Sequence, residues 1–305
     1  MYRFHWRRWA ALTWLLLGLA GCRPASTVSV ISLAHLEPLP PAAVTGMSPL
    51  RVAVAAIISP RGTLDSYTLL LDYLEQQLGR PVTLVQRRTY TEVNTLLRDG
   101  AVDLAFVCTS AYVSGAREFG MQLLAAPQVD GEAVYHALLI VSADNSAQSL
   151  ADLRGRVFAF TDPISTTGHN YPILLVKQLG EEAETFFGRT FYTYSHDDAI
   201  QAVANRVADA ASVDSLVYAF AIQRNPSLGE RVRVIHQSPA FAIPPVVVSP
   251  HVRPQQAAEL RDILLHMADN ADGRVALAAA GLSGFAAITD NAYNSVRDLE
   301  AATTP

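Results

Sequence analysis

Apolar residues along this chain fall into short runs that switch between two periods. Arg51 to Ile58 is a nearly unbroken apolar run, as expected of a strand buried on both faces. Tyr67 to Leu78 carries apolar residues at helical spacing and stops at Gly79, a residue suited to a left-handed helix cap. Pro81 to Gln86 reads as a second strand, Thr91 to Arg98 as a helix and Asp103 to Val107 as a third strand. Strand, helix, strand, helix, strand is the pattern of a parallel α/β unit.

The pattern returns about a hundred residues later. Arg156 to Phe160, Thr190 to Tyr194 and Ala210 to Val213 read as strands, with helices over Gly168 to Leu179 and Asp197 to Ala204. Tyr90 to Tyr112 lies on His196 to Tyr218 without a gap, at a constant offset of 106, which pairs Asp103 with Asp209, Val107 with Val213 and Cys108 with Asp214. The identities are few, so they argue for shared architecture more than for duplication. Cys108 and Asp214 each follow a buried strand, where open α/β sheets place their ligands.

Two further extended segments connect these halves. Tyr135 to Ser142 is apolar, and Phe241 to Ser249 contains Pro244 and Pro245, which restrict the backbone and remove two donors. Two crossings between two α/β lobes make a hinge with a cleft between them. Pro254 to Asn270 and Gly273 to Ala280 are amphipathic and helical, and are expected to pack back on the first lobe.

The N-terminus has a different character. Arg3, Arg7 and Arg8 precede an apolar stretch from Trp9 to Leu19, too short to span a bilayer, and the segment ends in Leu19-Ala20-Gly21-Cys22. This resembles the bacterial lipobox, which implies cleavage after residue 21 and acylation of Cys22; an ordinary signal peptide is the other reading. Residues 22–49 are rich in Pro, Ala, Ser and Thr and read as a tether from the membrane. Removing residues 1–21 takes the net charge from −5 to −8 and, with Cys22 acylated, leaves Cys108 as the one thiol. An acidic chain with two cysteines excludes bulk nucleic-acid binding, a disulfide scaffold and a four-cysteine zinc site.

The most informative stretch is Asp162-Pro-Ile-Ser165-Thr166-Thr167-Gly168-His169, which follows a strand and opens a helix. Unpaired N–H groups and the helix dipole favour an anion there. Three successive hydroxyls add donors, and Gly168 is expected to let the backbone approach a ligand; simple N-capping is the competing reading. His196, in Ser195-His-Asp-Asp, stands at the expected cleft edge, able to donate to an anion, more strongly if protonated, or to serve only structure. Asp197 and Asp198 complement the helix dipole. Cys108-Thr109-Ser110 opens the matching helix of the first lobe. Cys108 is either an inert buried thiol or a ligand group activated by the helix N-terminus. Tyr135 and Tyr67 are candidate cleft walls or core residues. Cys108 and His196 fall on opposite lobes, and there is no nucleophile elbow or metal-ligand spacing, so neither an enzyme nor a metal or other cofactor is expected.

These elements together resemble the periplasmic phosphate/phosphite/phosphonate-binding proteins of ABC importers, the PhnD type. The resemblance covers Leu50 to about Glu300, and rests on Asp162 to Gly168, Ser195-His196-Asp197, Val213-Asp214-Ser215 and the two crossings. It implies an α/β, two-lobed type II periplasmic-binding-protein fold with mostly parallel sheets. Lobe 1 would span 50–137 and 246–305, and lobe 2 would span 138–245. Ser165, Thr166, Thr167 and His196 would hold phosphoryl oxygens, with Thr109 and Ser110 opposite and Tyr135 on the hinge side. Asp214 would accept from a protonated anion, meet an amine, or merely cap the next turn. Aminoalkylphosphonate binders carry a second acid in the return crossing. Here Phe241-Ala-Ile-Pro-Pro is uncharged, which favours a small anion. The expected partners are a phosphorus oxyanion and an ABC permease, with the membrane reached only through the lipid anchor and nothing calling for an oligomer. A related branch, arsenite-sensing binding proteins that signal to a sensor kinase, uses a cleft cysteine, so Cys108 supports a second reading.

Overall fold

The computed structural model describes residues 48–303; the signal segment 1–21, Cys22 and the tether up to residue 47 lie outside the described residues. Thirteen strands occur among the described residues: β1 (Leu50–Val54), β2 (Val82–Val85), β3 (Leu104–Phe106), β4 (Gln122–Gln128), β5 (Val134–Tyr135), β6 (Ala137–Ser142), β7 (Val157–Phe160), β8 (Arg189–Tyr192), β9 (Ala210–Asp214), β10 (Val232–Gln237), β11 (Phe241–Ala242), β12 (Val246–Val248) and β13 (Gly284–Ala286). They form one sheet in the order β13-β4-β12-β3-β1-β2, another in the order β10-β6-β9-β7-β8, and a two-stranded ribbon β11-β5. In the ribbon Tyr135 opposes Phe241 and Val134 opposes Ala242, so the two crossings pair with each other on their way between the lobes. Each crossing is short and breaks beside the ribbon, at His136 and at Pro244-Pro245.

Both sheets are mixed rather than mostly parallel. β1 runs parallel to β2 and β3, and β7 to β8 and β9. The crossing strands enter from the far lobe and run the other way: β12 is antiparallel to β3 and β4, and β6 to β9 and β10. The first strand ends at Val54, four residues before the apolar run does. Ile57 and Ile58 lie in the loop to the next helix, and the Ile57 carbonyl accepts from His196 N–H at 2.9 Å. Apolar composition alone does not distinguish a strand from a loop buried against a second lobe.

The helices are α1 (Pro60–Leu78), α2 (Tyr90–Arg98), α3 (Thr109–Phe119), α4 (Tyr171–Gln178), α5 (Ala183–Phe186), α6 (His196–Ala204), α7 (Ser215–Arg224), α8 (Ser227–Arg231), α9 (Pro254–Leu265), α10 (Ala271–Ala279) and α11 (Asn294–Thr303). Pro60 opens α1, where its missing N–H costs nothing, and Gly79 ends it at φ +59°. α2 and α6 start and end at the same offset of 106, and each begins at a hydroxyl cap, Thr89 or Ser195. The internal match is therefore structural as well as sequential. In the tail, Asn270 Oδ1 accepts from Gly273 N–H at 2.7 Å, so the expected long helix stops at Leu265 and a new one opens. Leu260, Leu264 and Leu277 pack with Leu70, Leu74 and Leu104 in the core of the first lobe. Phe158, Phe160 and Phe186 fill one face of the second sheet, and Ile140, Ile200 and Val213 fill the other.

Between β7 and α4 the chain makes a five-residue π turn, Thr166–Asn170, where a regular helix start is expected from the sequence. Pro172 has no N–H to offer the Gly168 carbonyl, and that carbonyl accepts instead from Thr161 N–H at 3.3 Å. The turn is thus tied to the end of β7. A Cβ on Gly168 would stand 1.8 Å from Thr161 Oγ1, so the glycine serves this close packing and not, as the sequence suggested, the approach of a ligand. Gly168→Ala is expected to lower stability by about 1–3 kcal/mol, the usual cost of overpacking. Urea unfolding measures it, and an unchanged midpoint would contradict this account.

Candidate functional site

Six chain segments meet where parallel strands of both lobes hand over to helix N-termini. The first lobe supplies Tyr90 at the start of α2 and Cys108, Thr109 and Ser110 at the start of α3. The second supplies Asp162 and the π turn, His196 at the start of α6 and Asp214 at the end of β9. The hinge ribbon adds Tyr135.

The sequence-derived residues divide into three groups. Thr166 Oγ1 meets lobe 1 directly: Ser110 N–H donates to it at 3.0 Å, Thr109 Oγ1 lies at 2.6 Å, Ser110 Oγ at 2.7 Å and Cys108 Sγ at 3.7 Å. Thr109 Oγ1 continues to the Tyr135 hydroxyl at 2.7 Å. This chain of hydroxyls joins both lobes and the hinge. Ser165 Oγ accepts from Gly168 N–H at 3.1 Å as an N-cap, which leaves its own O–H to donate. Thr167 is buried, and its carbonyl accepts from Ser212 Oγ at 2.5 Å.

His196 and Asp214 form the third group. The backbone N–H of Asp214 donates to His196 Nδ1 at 3.0 Å. Nδ1 is therefore the acceptor, and the proton sits on Nε2. Burial pulls the imidazole down to about 3, so the ring is neutral and donates through Nε2–H; the protonated form that would bind an anion more strongly is not the one present near neutral pH. Asp214 Oδ1 accepts from Leu216 and Val217 N–H at 2.7 and 3.2 Å and caps α7, while Oδ2 makes no hydrogen bond. Burial raises its carboxyl to about 6.

Burial also pushes the Cys108 thiol up, outweighing the hydrogen bonds from Thr166 and Ser110 that favour the thiolate. Helix-end activation of this cysteine does not prevail, because a fully enclosed thiolate is poorly solvated.

Sequence reasoning passed over Tyr90. Its ring is fully buried, its hydroxyl has no hydrogen-bond partner, and burial together with the charges of Asp162 and Asp214 holds it far above the usual phenol range. A buried hydroxyl without a partner is costly unless something else meets it. The signal was in the sequence: the offset of 106 lays Tyr90 on His196, so both lobes present a side-chain donor from the first residue of equivalent helices.

The lobes are clasped around these groups. Asp197 accepts from Ser59 N–H at 2.8 Å and Ser59 Oγ at 2.6 Å, and Asp162 accepts from Tyr90 N–H at 3.0 Å. The Arg88 guanidinium lies 4.2 Å from the centre of the Tyr194 ring. Asp197 does more than complement a helix dipole: it fastens one lobe to the helix start of the other.

Residues 52–293 match the family described as ABC transporter, phosphonate, periplasmic substrate-binding protein. The chain belongs to this family. A curated relative, the phosphate-import protein PhnD of Mycolicibacterium smegmatis (strain ATCC 700084 / mc(2)155), is 34% identical over 164 residues; the match spans 50% of this chain and 51% of the relative, about half its length. Among solved structures, a binding protein component of an ABC phosphonate transporter from Pseudomonas aeruginosa superimposes with a TM-score of 0.78 at 25% identity, covering 83% of this chain and 85% of that one. PhnD1 from Prochlorococcus marinus, in complex with methylphosphonate, gives 0.74 at 18% identity, covering 83% and 97%. These superpositions bear out the two-lobed type II periplasmic-binding-protein fold. The family is one of transport binding proteins, not enzymes. Among the described residues no helix is long and apolar enough to cross a membrane.

The state of Asp214 is open to direct measurement. A carboxyl raised from 3.8 to about 6 takes up its proton in the folded state before the unfolded chain does, so folding loses about 3 kcal/mol as pH rises from about 4 to 6. Asp214→Asn keeps an acceptor for the α7 cap and lacks this titration. Relative to the variant, the wild type should lose stability over that window, with His196 common to both. A difference independent of pH would show that Asp214 titrates as an ordinary surface carboxyl.

Proposed function

We propose that this protein captures a phosphorus oxyanion (phosphonate, phosphite or phosphate) between its lobes and delivers it to an ABC permease. The observation that carries this is a pair of neutral donors at equivalent helix starts, one from each lobe: the Tyr90 hydroxyl, buried without a hydrogen-bond partner, and His196, whose Nδ1 accepts from Asp214 N–H and leaves the proton on Nε2. Thr166, Thr109, Ser110 and Tyr135 close the site beside them. An anion held this way needs no lysine, because fixed dipoles in a dry site replace its hydration. Asp214 Oδ2 faces the same region and would accept from a protonated oxygen of the ligand. Lobe 1 comprises 50–137 and 246–305, and lobe 2 comprises 138–245. Cleavage after residue 21 and acylation of Cys22 would hold the protein on the outer side of the membrane as a monomer.

The family match and the relative named for phosphate import support this reading. The buried, neutral thiol of Cys108 speaks for it over arsenite sensing, since the thiolate is the metal-binding form. Isothermal titration with phosphate, phosphite, methylphosphonate and arsenite tests it. Heat is expected with at least one phosphorus anion, and none with any of them would overturn the proposal. Cys108→Ser should leave phosphorus-anion affinity within about threefold; loss of binding in that variant would instead favour the sensor.

Tyr90→Phe and His196→Ala should each weaken the bound anion by about 10- to 100-fold, the worth of one hydrogen bond to a charged group. Circular dichroism must show both variants folded. Unchanged affinity in both would remove these residues from the site.

A further inference from the structure

A cavity of about 440 Å³ opens between the lobes next to the anion site, and Asp214 belongs to both. Its walls are mainly apolar: Val54 and Phe106 from lobe 1, Leu216, Val217 and Phe220 from lobe 2, and Leu282 from the tail. Its polar lining is Asp214, Ser66 and the solvent-exposed Asp130, Gln223 and Ser283. Ser66 Oγ is buried and has no hydrogen-bond partner, and Asp214 Oδ2 is the carboxylate oxygen that α7 does not use. The Tyr67 ring, edge-on to Phe106 at 5.1 Å between centroids, forms part of the wall.

A predominantly apolar cavity with one or two placed polar groups, within the range of about 300–1,000 Å³, is the usual form of a site for an organic molecule. A proton on phosphite, a hydroxyl on phosphate or a methyl group would fill a small part of it. The return crossing sharpens this. Its uncharged Ile243 and Pro244 line the cavity, so the stretch that argues against an amine supplies apolar wall.

We infer that the cleft takes an organophosphonate with a bulky, mainly apolar substituent, the phosphorus oxygens at Tyr90, Thr167 and His196 and the substituent in the cavity beyond Asp214. This rests on the phosphorus-oxyanion reading above and names its substrate class. Each methylene moved from water into the cavity strengthens binding by about fourfold, from about 0.8 kcal/mol per buried CH₂.

The test is isothermal titration of the full-length protein with methyl-, n-butyl- and phenylphosphonate. Binding of the two larger ligands at least tenfold tighter than methylphosphonate is the expected result. Ala219→Trp, at an exposed position on the cavity rim, and Leu282→Trp should each reduce that preference to within about threefold while methylphosphonate affinity stays unchanged. The exposed site of Ala219 keeps the test usable if Leu282→Trp does not fold. Methylphosphonate binding as tightly as the larger ligands, or a preference that survives in Ala219→Trp, overturns this inference and leaves the oxyanion reading standing. No binding of any phosphonate, phosphite or phosphate overturns both.

Discussion

The hydrogen bond from the Asp214 backbone N–H to His196 Nδ1 is the constraint on which the site depends. It joins the end of β9 to the start of α6, so the ring is positioned by two elements of the lobe core and not by a flexible loop. It also assigns the proton to Nε2. The ring is buried and neutral, which makes it a donor that brings no charge into the cleft. A histidinium there would face Asp214 and would have to be desolvated, whereas a neutral imidazole only exchanges one hydrogen bond for another.

The same economy runs through the rest of the cleft. Both carboxylate oxygens of Asp197 and one of Asp162 accept from backbone or hydroxyl donors of the opposite lobe, so they hold the lobes together; the other Asp162 oxygen accepts from Ile164 N–H of its own turn. The hydroxyls of Thr109, Ser110 and Thr166 bond to each other across the interface. Among the described residues the buried hydroxyls of Tyr90, Ser66 and Thr161 have no hydrogen-bond partner, and His196 keeps its proton on Nε2 because Nδ1 is already bonded. In the proposed reading an acidic chain would hold an anion by local dipoles of this kind, with little help from long-range attraction.

Much of this was legible in the sequence. Nearly unbroken apolar runs and helical repeats placed most elements to within a few residues, and the offset of 106 located two equivalent strand-to-helix turns. The hydroxyl run Ser165-Thr166-Thr167 pointed to the second-lobe half of the cleft. The exceptions have physical causes. Ser165 takes the capping role as well, because its position at the start of the turn puts Gly168 N–H within its reach, while its own O–H is left to donate. Gly168 looked like a place for ligand approach and is a packing contact, because Pro172 redirects the Gly168 carbonyl to Thr161. Ile57 and Ile58 looked like strand and form the loop between lobes.

By itself, then, the sequence determined the α/β class, the two similar halves and the two crossings. Those depend on periodicity and on local chemistry, which a linear pattern carries. Only the tertiary structure decided which groups at the cleft are used up and which are left over. That depends on contacts between residues far apart in the chain, such as Ser59 with Asp197, Ser110 with Thr166 and Ser66 with nothing. It also decided the state of each titratable group. Whether Cys108 is a thiolate and Asp214 a carboxylate follows from how completely the two lobes exclude water, which no segment of one lobe encodes.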